Sequence, residues 1–381
     1  LNGQDPTASA DIAVVVLAAG WSSRMGALKP LLPFGDSSVL GHVVATIVAS
    51  GVGPAVVVVG NEGERVGAAA VSCGARAVVN ADFAAGMLTS IQAGIAALPA
   101  STIGALILPV DVPLVRSATL AMMAGVAKAD PEAVHLPTFE GRCGHPPFIP
   151  RRLFAEILVA PREASLRDIL KRHEDDTRRV PVIDSGILRD MDYPDEYRRL
   201  LAALPHRRHP DEAECEAMYD LSGLPEPTRR HSRAVTRLAV DLAARLATAG
   251  VPLDIDLVRA GALLHDIAKG EPAHASAGAR RVAAFGFAET AAVVAAHMEV
   301  AFAEGDALDE RHVVYLADKL IKGEQPVSLD ERFAPALGAF ADDPEALAGA
   351  RRRHAAAVAV LDAIEARIGP VRAVPVALAE S

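Results

Sequence analysis

The stretch LAAGWSSRMGALKP, residues 17–30, closes an apolar run and opens a loop that carries Arg24 and Lys29. The run before it, IAVVVLA at 12–18, has no polar position, which is the pattern of a strand covered on both faces. The loop matches neither of the two common glycine-rich phosphate loops. A Walker loop requires Gly-Lys-Ser/Thr, whereas here Gly26 is followed by Ala27, Leu28 and Lys29. A dinucleotide-binding turn runs directly into a helix, whereas Pro30 and Pro33 delay the next helical pattern to Ser37 or Ser38. The connection is therefore long and irregular. Its strand-end Gly20 offers backbone amides that approach a phosphate closely, Ser22 and Ser23 can donate, and Arg24 and Lys29 add fixed positive charge. An ordinary exposed connection with two solvated cations would show the same residues.

Further apolar runs continue the pattern outward: AVVVV (55–59), RAVVN (76–80), ALILPV (105–110), AVHLPT (133–138) and RVPVID (179–184). Between them lie amphipathic stretches such as SSVLGHVVATIVAS, stopped by Gly51. Apolar strands alternating with helices predict an α/β Rossmann-like domain with a mainly parallel sheet over residues 11–204. After Leu204 the strand pattern ends. Charge and proline predict a linker or connecting helix over 205–228, and an all-α domain follows over 229–370. A chain of 381 residues exceeds what one core usually serves, in keeping with two domains. The formal net charge of −10 argues against a nucleic-acid partner, because a phosphate-backbone binder carries basic excess. Three widely spaced cysteines form neither a zinc pattern nor a disulfide framework, as expected of a reducing cytoplasmic location. No apolar run reaches the ~18–20 residues of a membrane span, so no membrane association is expected. The first ten residues read as a loose end rather than a signal peptide.

Two aspartate sites accompany the loop. In ALILPVDVPLV, Asp111 follows a buried strand at the sheet edge where ligands bind, and one strand-end carboxylate suits Mg2+. In LRDMDYPDEYRRL, Asp190 and Asp192 precede a helix, where an isolated aspartate would ordinarily be a cap. Taken in order, LAAGWSSRMGALKPLLPFGDSSVL, NADFAAGMLTSIQAGIAAL, PVDVPLV, GHPPFIPRRLF and RDMDYPDEYRRL resemble the MobA-like nucleotidyltransferases, and most closely the molybdenum cofactor cytidylyltransferases. The resemblance covers roughly residues 11–203. It implies transfer of a nucleotidyl group to the phosphate of molybdopterin, with CTP preferred over GTP and pyrophosphate released. Such transfer needs mainly positioning and charge neutralisation. Arg24 and Lys29 would neutralise the leaving group, and Mg2+ would be held by Asp111 and Asp192. Leu17, Ala18, Ala19 and Gly20 would form the nucleotide loop, with Asn80, Ser90 and Pro109 as further contacts. Leu-Ala-Ala-Gly goes with the cytidylyl branch, whereas the guanylyl branch tends to Leu-Ala-Gly-Gly. Val112 departs from the methionine common there. Partners implied are the nucleotide, molybdopterin or molybdenum cofactor, and a molybdoenzyme or its insertion chaperone. A sugar-phosphate nucleotidyltransferase shares the fold and is the alternative.

Among twelve histidines, His231, His265, His274 and His297 form a spaced series with Asp266 and Asp318. One histidine on an apolar helix is usually a core residue, but helices that each send one ligand inward build a bundle metal site. DIDLVRAGALLHDIAKG predicts a helix capped by Asp254 and stopped by Gly270; Asp318 could also be an i,i+4 partner of Lys322. LLHDIAKGEPAHASAGARR, AAHMEV and YLADKLIKG resemble the HD superfamily of metal-dependent phosphohydrolases over about 228–335. The resemblance implies a core site of His231, His265, Asp266 and Asp318, with Asp266 catalytic and able to bridge, and a second metal position at His274 and His297. Imidazole and carboxylate ligands suit Mn2+, Fe2+, Ni2+ or Zn2+. Hydrolysis of a phosphoester would result, with Lys269 or Lys319 holding substrate charge; a nucleotide-sensing or docking module without turnover is the alternative.

Overall fold

The computed structural model describes residues 11–303 and 305–371, so the expected loose end at 1–10 lies outside the described residues. The chain divides into two compact units, Leu1–Pro205 and His206–Ser381.

The first unit opens with β1 (Ile12–Ala18), every residue of which is buried. A two-stranded hairpin, β2 (Pro33–Phe34) and β3 (Ser37–Ser38), comes after the loop. Helix α1 (Val39–Ser50) starts where the prolines release the chain: Ser38 accepts from the Gly41 amide, and Gly51 ends the helix in the left-handed region. Then come β4 (Ala55–Val59), α2 (Gly63–Ser72), β5 (Arg76–Val79), α3 (Met87–Ala96), β6 (Gly104–Pro109) and α4 (Ser117–Ala129). The second half holds β7 (Val134–Phe139), β8 (Arg142–Cys143), β9 (Phe148–Pro150), α5 (Phe154–Val159), α6 (Leu166–Lys171), β10 (Thr177–Pro181) and α7 (Pro194–Ala203). The strands order as β10-β7-β9-β6-β1-β4-β5, with β8 on β7. Pairs β1/β4, β1/β6, β4/β5 and β7/β10 are parallel, whereas β9 runs antiparallel to both β6 and β7. The sheet is thus mainly parallel, as the uninterrupted apolar runs require. The antiparallel β9 escapes a periodicity reading because PPFIP is short and flanked by prolines. RVPVID is strand only to Pro181; beyond it Asp184 turns inward, accepting from the Gly186 and Arg116 amides and the Thr119 hydroxyl.

In the second unit, α8 (Glu212–Ser222) lies within the stretch expected as linker or connecting helix, and its Cys215, Met218 and Tyr219 are fully buried. After it come α9 (Glu226–Thr248), α10 (Ile255–Leu264), α11 (His274–Ala284), α12 (Ala288–Ala296) and α13 (Glu310–Lys319). A short hairpin, β11 (Ile321–Lys322) and β12 (Gln325–Pro326), precedes α14 (Leu329–Ala339) and α15 (Pro344–Ile368). Asp254 caps α10 as expected, but the helix ends at Leu264 rather than running to Gly270. Just past that end the His265 ring bonds the Ala262 carbonyl at 2.8 Å. Residues 265–270 form turns instead, closed at Gly270 with φ +95°.

Helix α3 lies against the sheet at Gly94, where an added Cβ would stand 2.4 Å from Val15 Cγ1 and 3.1 Å from Val58 Cγ2. Gly94→Ala is therefore expected to destabilise the first unit by about 1–3 kcal/mol through overpacking. Gly125→Ala in the exposed face of α4, with nothing within 4 Å, should instead stabilise it by about 0.5–1 kcal/mol. Urea midpoints of the two variants, read out by a probe in the first unit, must move in opposite directions.

Candidate functional site

At the end of β1 the chain is drawn into a tight turn. Ser22, at φ +52°, accepts at its carbonyl from the Met25 and Gly26 amides, and its hydroxyl accepts from the Lys29 amide at 3.2 Å. That turn delivers Lys29 into the sheet edge, where its side chain is only 10% exposed. The ammonium donates to Asp111 at 3.1 Å and to Asp192 at 2.7 Å. Arg24 reaches the other oxygen of Asp192 at 2.9 Å, with its guanidinium 5.8 Å from the Tyr193 ring centroid. Four predicted residues from three separate stretches of the sequence thus converge. Asp192 is not the cap of α7: Glu196 accepts from the amides of Asp192 and Tyr193, which leaves the Asp192 carboxylate for the cations.

Charge in this cluster is finely balanced. Burial opposes the charged form of Lys29, but Asp192 and Asp111 outweigh it and hold the ammonium above its ordinary pKa. The hydrogen bond from Lys29 holds Asp192 below the usual carboxylate range. Asp190 is pushed the other way, by burial first and then by Asp111, Glu196 and Asp192. Burial pulls His145 down while Asp111 and Asp190 pull it up. The sequence sets Asp190 beside Asp192 without a distinct role, and His145 lies inside GHPPFIP with nothing in the spacing to single it out.

The remaining predicted residues line or brace this edge. Leu17, Ala18 and Ala19 are buried, and Gly20 is exposed. The Ala19 methyl faces Gly60, where an added Cβ would lie 2.9 Å from it and 2.5 Å from the Phe83 ring. Asn80 is buried; its amide donates to Thr89 and Ser90 at 2.9 and 3.0 Å and its carbonyl accepts from the Asp82 amide, so Asn80 and Ser90 brace the turn into α3. A cavity of about 960 Å3 opens beside the strand ends, floored by Leu17, Leu88, Ile91 and Ile107 and reached by His145 and Arg162.

The second unit gathers all six predicted ligands. Ligand atoms of His231, His265 and Asp318 lie within 4.8 Å of one another, and so do those of Asp266, His274 and His297. In the first set His231 Nε2 and His265 Nε2 stand 3.2 and 3.6 Å from Asp318 Oδ1. Asp266 joins the sets: Oδ2 faces His265 at 3.5 Å and His231 at 3.9 Å, while Oδ1 faces His274 at 3.4 Å and His297 at 3.6 Å. Three rings are oriented by backbone carbonyls on their Nδ1 side: Gly323 for His231, Ala262 for His265 and Val294 for His297, at 2.7–2.8 Å. A carbonyl can only accept, so Nδ1 carries a proton in each ring, and Nε2 is the nitrogen left facing inward for a carboxylate or a metal ion. His265 Nε2 and Asp266 Oδ1 are buried without a hydrogen-bond partner. Unpartnered imidazole and carboxylate atoms, convergent and preoriented, fit a divalent transition metal, which would take the place of the Nε2 proton. Burial opposes a charged His265, but Asp266 and Asp318 outweigh it and push the ring up to about 10. Burial raises both carboxyls, and the histidines and Lys319 outweigh it to hold them well below the usual range.

Two expectations here need correction. Lys319 does not hold substrate charge: it is buried, and its ammonium donates to Asp318 Oδ2 at 2.7 Å and the His297 carbonyl at 3.0 Å. Asp318 is correspondingly the partner of Lys319 and His231 rather than of Lys322. Lys269 remains half-exposed, 2.8 Å from Asp266 Oδ2. Sequence reasoning missed Arg332 of α14, 3.6 Å from Asp318 Oδ1; LDERF reads as an ordinary helix start.

The Lys29 cluster makes a pH statement. Asp192 is depressed in the folded protein, so its contribution to stability is present above the unfolded carboxyl pKa and is lost as pH falls through the folded value. Lys29→Met removes the largest cause. The Asp192 carboxyl is then expected to titrate at higher pH than in the wild type, a direction that 13C NMR of the carboxyl carbon reads directly; an unchanged titration would refute the pairing.

Residues 14–177 match the family described as MobA-like NTP transferase domain, and residues 228–323 match HD domain. The chain is 34% identical over 131 residues to bifunctional protein GlmU of Micrococcus luteus, a match covering 32% of this chain and 26% of that protein. It thus spans about a quarter of that curated relative. An uncharacterized protein of Methanocaldococcus jannaschii is 30% identical over 128 residues, covering 28% of this chain and 76% of that one. Among solved structures, Rv0371c of Mycobacterium tuberculosis is similar at 29% identity with a TM-score of 0.46, covering 50% of this chain and 98% of that one. The chain belongs, through its mainly parallel α/β unit, to the MobA-like NTP transferases, and its helical unit carries an HD domain.

Proposed function

We propose that the first unit transfers a nucleotidyl group, with CMP from CTP preferred, to the phosphate of molybdopterin or molybdenum cofactor. The observation that supports this best is the set of Lys29, Arg24, Asp111 and Asp192 at the ends of β1 and β6. In the reaction an acceptor phosphate oxygen attacks the α-phosphorus in line, the α–β bond breaks, and pyrophosphate departs. Lys29 and Arg24 are fixed cations for the oxygens that gain charge as that bond breaks. Asp111 and Asp192 would hold Mg2+, which supplies charge neutralisation at the phosphates when bound. The cavity beside them, apolar at its floor and lined also by Arg167, Lys171 and Arg179, suits a flat heterocycle carrying an anionic arm. Ala19, buried against Gly60, would bear on base choice by narrowing the space to a pyrimidine.

The helical unit is proposed to hydrolyse a phosphoester or phosphoanhydride. Its support is the pair of three-ligand sets joined by Asp266. One or two ions of Mn2+, Fe2+, Ni2+ or Zn2+ at these positions would supply Lewis-acid charge stabilisation. The chain's own part is to hold three imidazoles by their Nδ1 protons and to keep two carboxylates ionised.

With molybdopterin, CTP, GTP and Mg2+, mass spectrometry of products is expected to show the cytosine dinucleotide in excess over the guanine one, and Ala19→Gly should narrow that excess. Asp111→Ala is expected to lower transfer by at least a hundredfold; wild-type turnover in that variant, or product only with a sugar phosphate, would overturn the assignment. In the other unit, His265→Ala with Asp266→Ala should remove bound metal and hydrolysis together while nucleotidyl transfer persists. Elemental analysis finding full metal in the double variant would sink the ligand assignment.

A further inference from the structure

We propose that Arg332 is the phosphoryl-binding residue of the helical unit, a guanidinium held beside the metal-ligand set to grip the anionic oxygens of the group being cleaved. The proposal rests on the hydrolase reading and adds a residue that neither the sequence motifs nor the family match assigns.

Helix α14 is anchored so as to hold Arg332 in place. Ser328 caps it reciprocally with Glu331: the Glu331 amide donates to the Ser328 hydroxyl at 3.2 Å, and the Ser328 amide donates to the Glu331 carboxylate at 2.8 Å. Leu329 and Phe333 on the same helix are buried in the core of the unit. Arg332 lies next to Phe333, and its guanidinium reaches Asp318 Oδ1 at 3.6 Å. That oxygen is the one facing His231 and His265.

Two observations separate this from an ordinary ion pair. First, Asp318 already has a counter-charge: the buried Lys319 ammonium holds Oδ2 at 2.7 Å, so the carboxylate does not need Arg332 to be neutralised. Second, a guanidinium cannot be a metal ligand and carries five donors, of which this contact uses at most one. Among the described residues the Asp318 contact is the only ion pair of Arg332. The side chain is 28% exposed, so it reaches the ligand set while staying open to solvent. The centre itself is graded in the same way: His265 and His297 are sealed at 0% and 1% exposure, whereas His231 and His274 are 12% and 21% exposed. A planar fork of donors next to an accessible cation site matches a phosphoryl anion, whose non-bridging oxygens accept two parallel N–H bonds.

The test uses the full chain loaded with Mn2+ and inorganic phosphate as the probe. Phosphate binding is measured by titration calorimetry, with the His265→Ala/Asp266→Ala variant as background for the nucleotidyltransferase unit. Arg332→Met is expected to weaken the phosphate affinity specific to the helical unit at least tenfold, with metal content by elemental analysis equal to wild type. Arg332→Lys should recover part of the loss, because it restores charge but not the fork. Phosphate binding equal to wild type in Arg332→Met overturns the proposal, as does loss of metal in proportion to loss of phosphate, which would make Arg332 a support for Asp318. No phosphate binding above background in the wild type would also overturn it. Arg332-dependent phosphate binding without hydrolysis of any phosphoester would sustain the proposal and defeat the hydrolase reading instead, so the two fail separately.

Discussion

Carboxylates brought close together repel, by about 4 kcal/mol for unit charges 4 Å apart at the effective dielectric of a protein surface. Both units of this chain gather aspartates around shared cationic partners, and much of the local structure serves to compensate them. In the first unit the compensation is Lys29, shared between Asp111 and Asp192 and reinforced by Arg24. The turn at Ser22 and the proline-delayed entry into α1 give a lysine beyond a buried strand its route back to the sheet edge. In the second unit the compensation comes from imidazoles around Asp266 and Asp318, with Lys319 fixed against Asp318. The consequence is shared: a carboxylate kept ionised in a partly dry place attracts a multivalent cation, and a cation attracts phosphate.

The two compensations differ in what they leave open. The Lys29 ammonium is held by carboxylates alone and can exchange one of them for a phosphate oxygen, since both are anionic acceptors. The histidine rings have no such freedom. Each of three is pinned by a backbone carbonyl, and His265 and His297 stand at the ends of α10 and α12, where the carbonyl three residues earlier takes the ring. The end of each helix and the orientation of its ligand therefore coincide. Helix α10 stops at Leu264 although its apolar pattern continues.

That coupling also marks what the sequence could reveal. The parallel strands were legible because strands buried on both faces leave no polar position to confuse the period, and α1 was legible because proline, serine and Gly51 bound it on both sides. The convergence of Lys29, Asp111 and Asp192 was legible because each sits just beyond a strand or before a helix, where side chains of a parallel sheet meet. The antiparallel β9 and the early end of α10 were not, because each is decided by a tertiary or side-chain partner absent from local periodicity. Arg332 had no signal at all: its significance lies in a contact with Asp318, and a sequence separation of fourteen residues across a hairpin carries no period.

Lys319 and Lys269 show how the same residue type diverges once geometry is known. Both stand shortly after a catalytic-looking aspartate, and both are candidates for holding substrate charge on sequence alone. Lys319 is buried, bonded to Asp318 and to the His297 carbonyl, and so links a ligand of one set to the backbone of a ligand in the other. Lys269 pairs with Asp266 from a half-exposed position and can exchange that partner for another anion. In this unit the half-exposed Lys269 is the lysine open to a substrate anion. Lys319, bonded to the Asp318 carboxylate and to the His297 carbonyl, ties the two metal-ligand sets together instead.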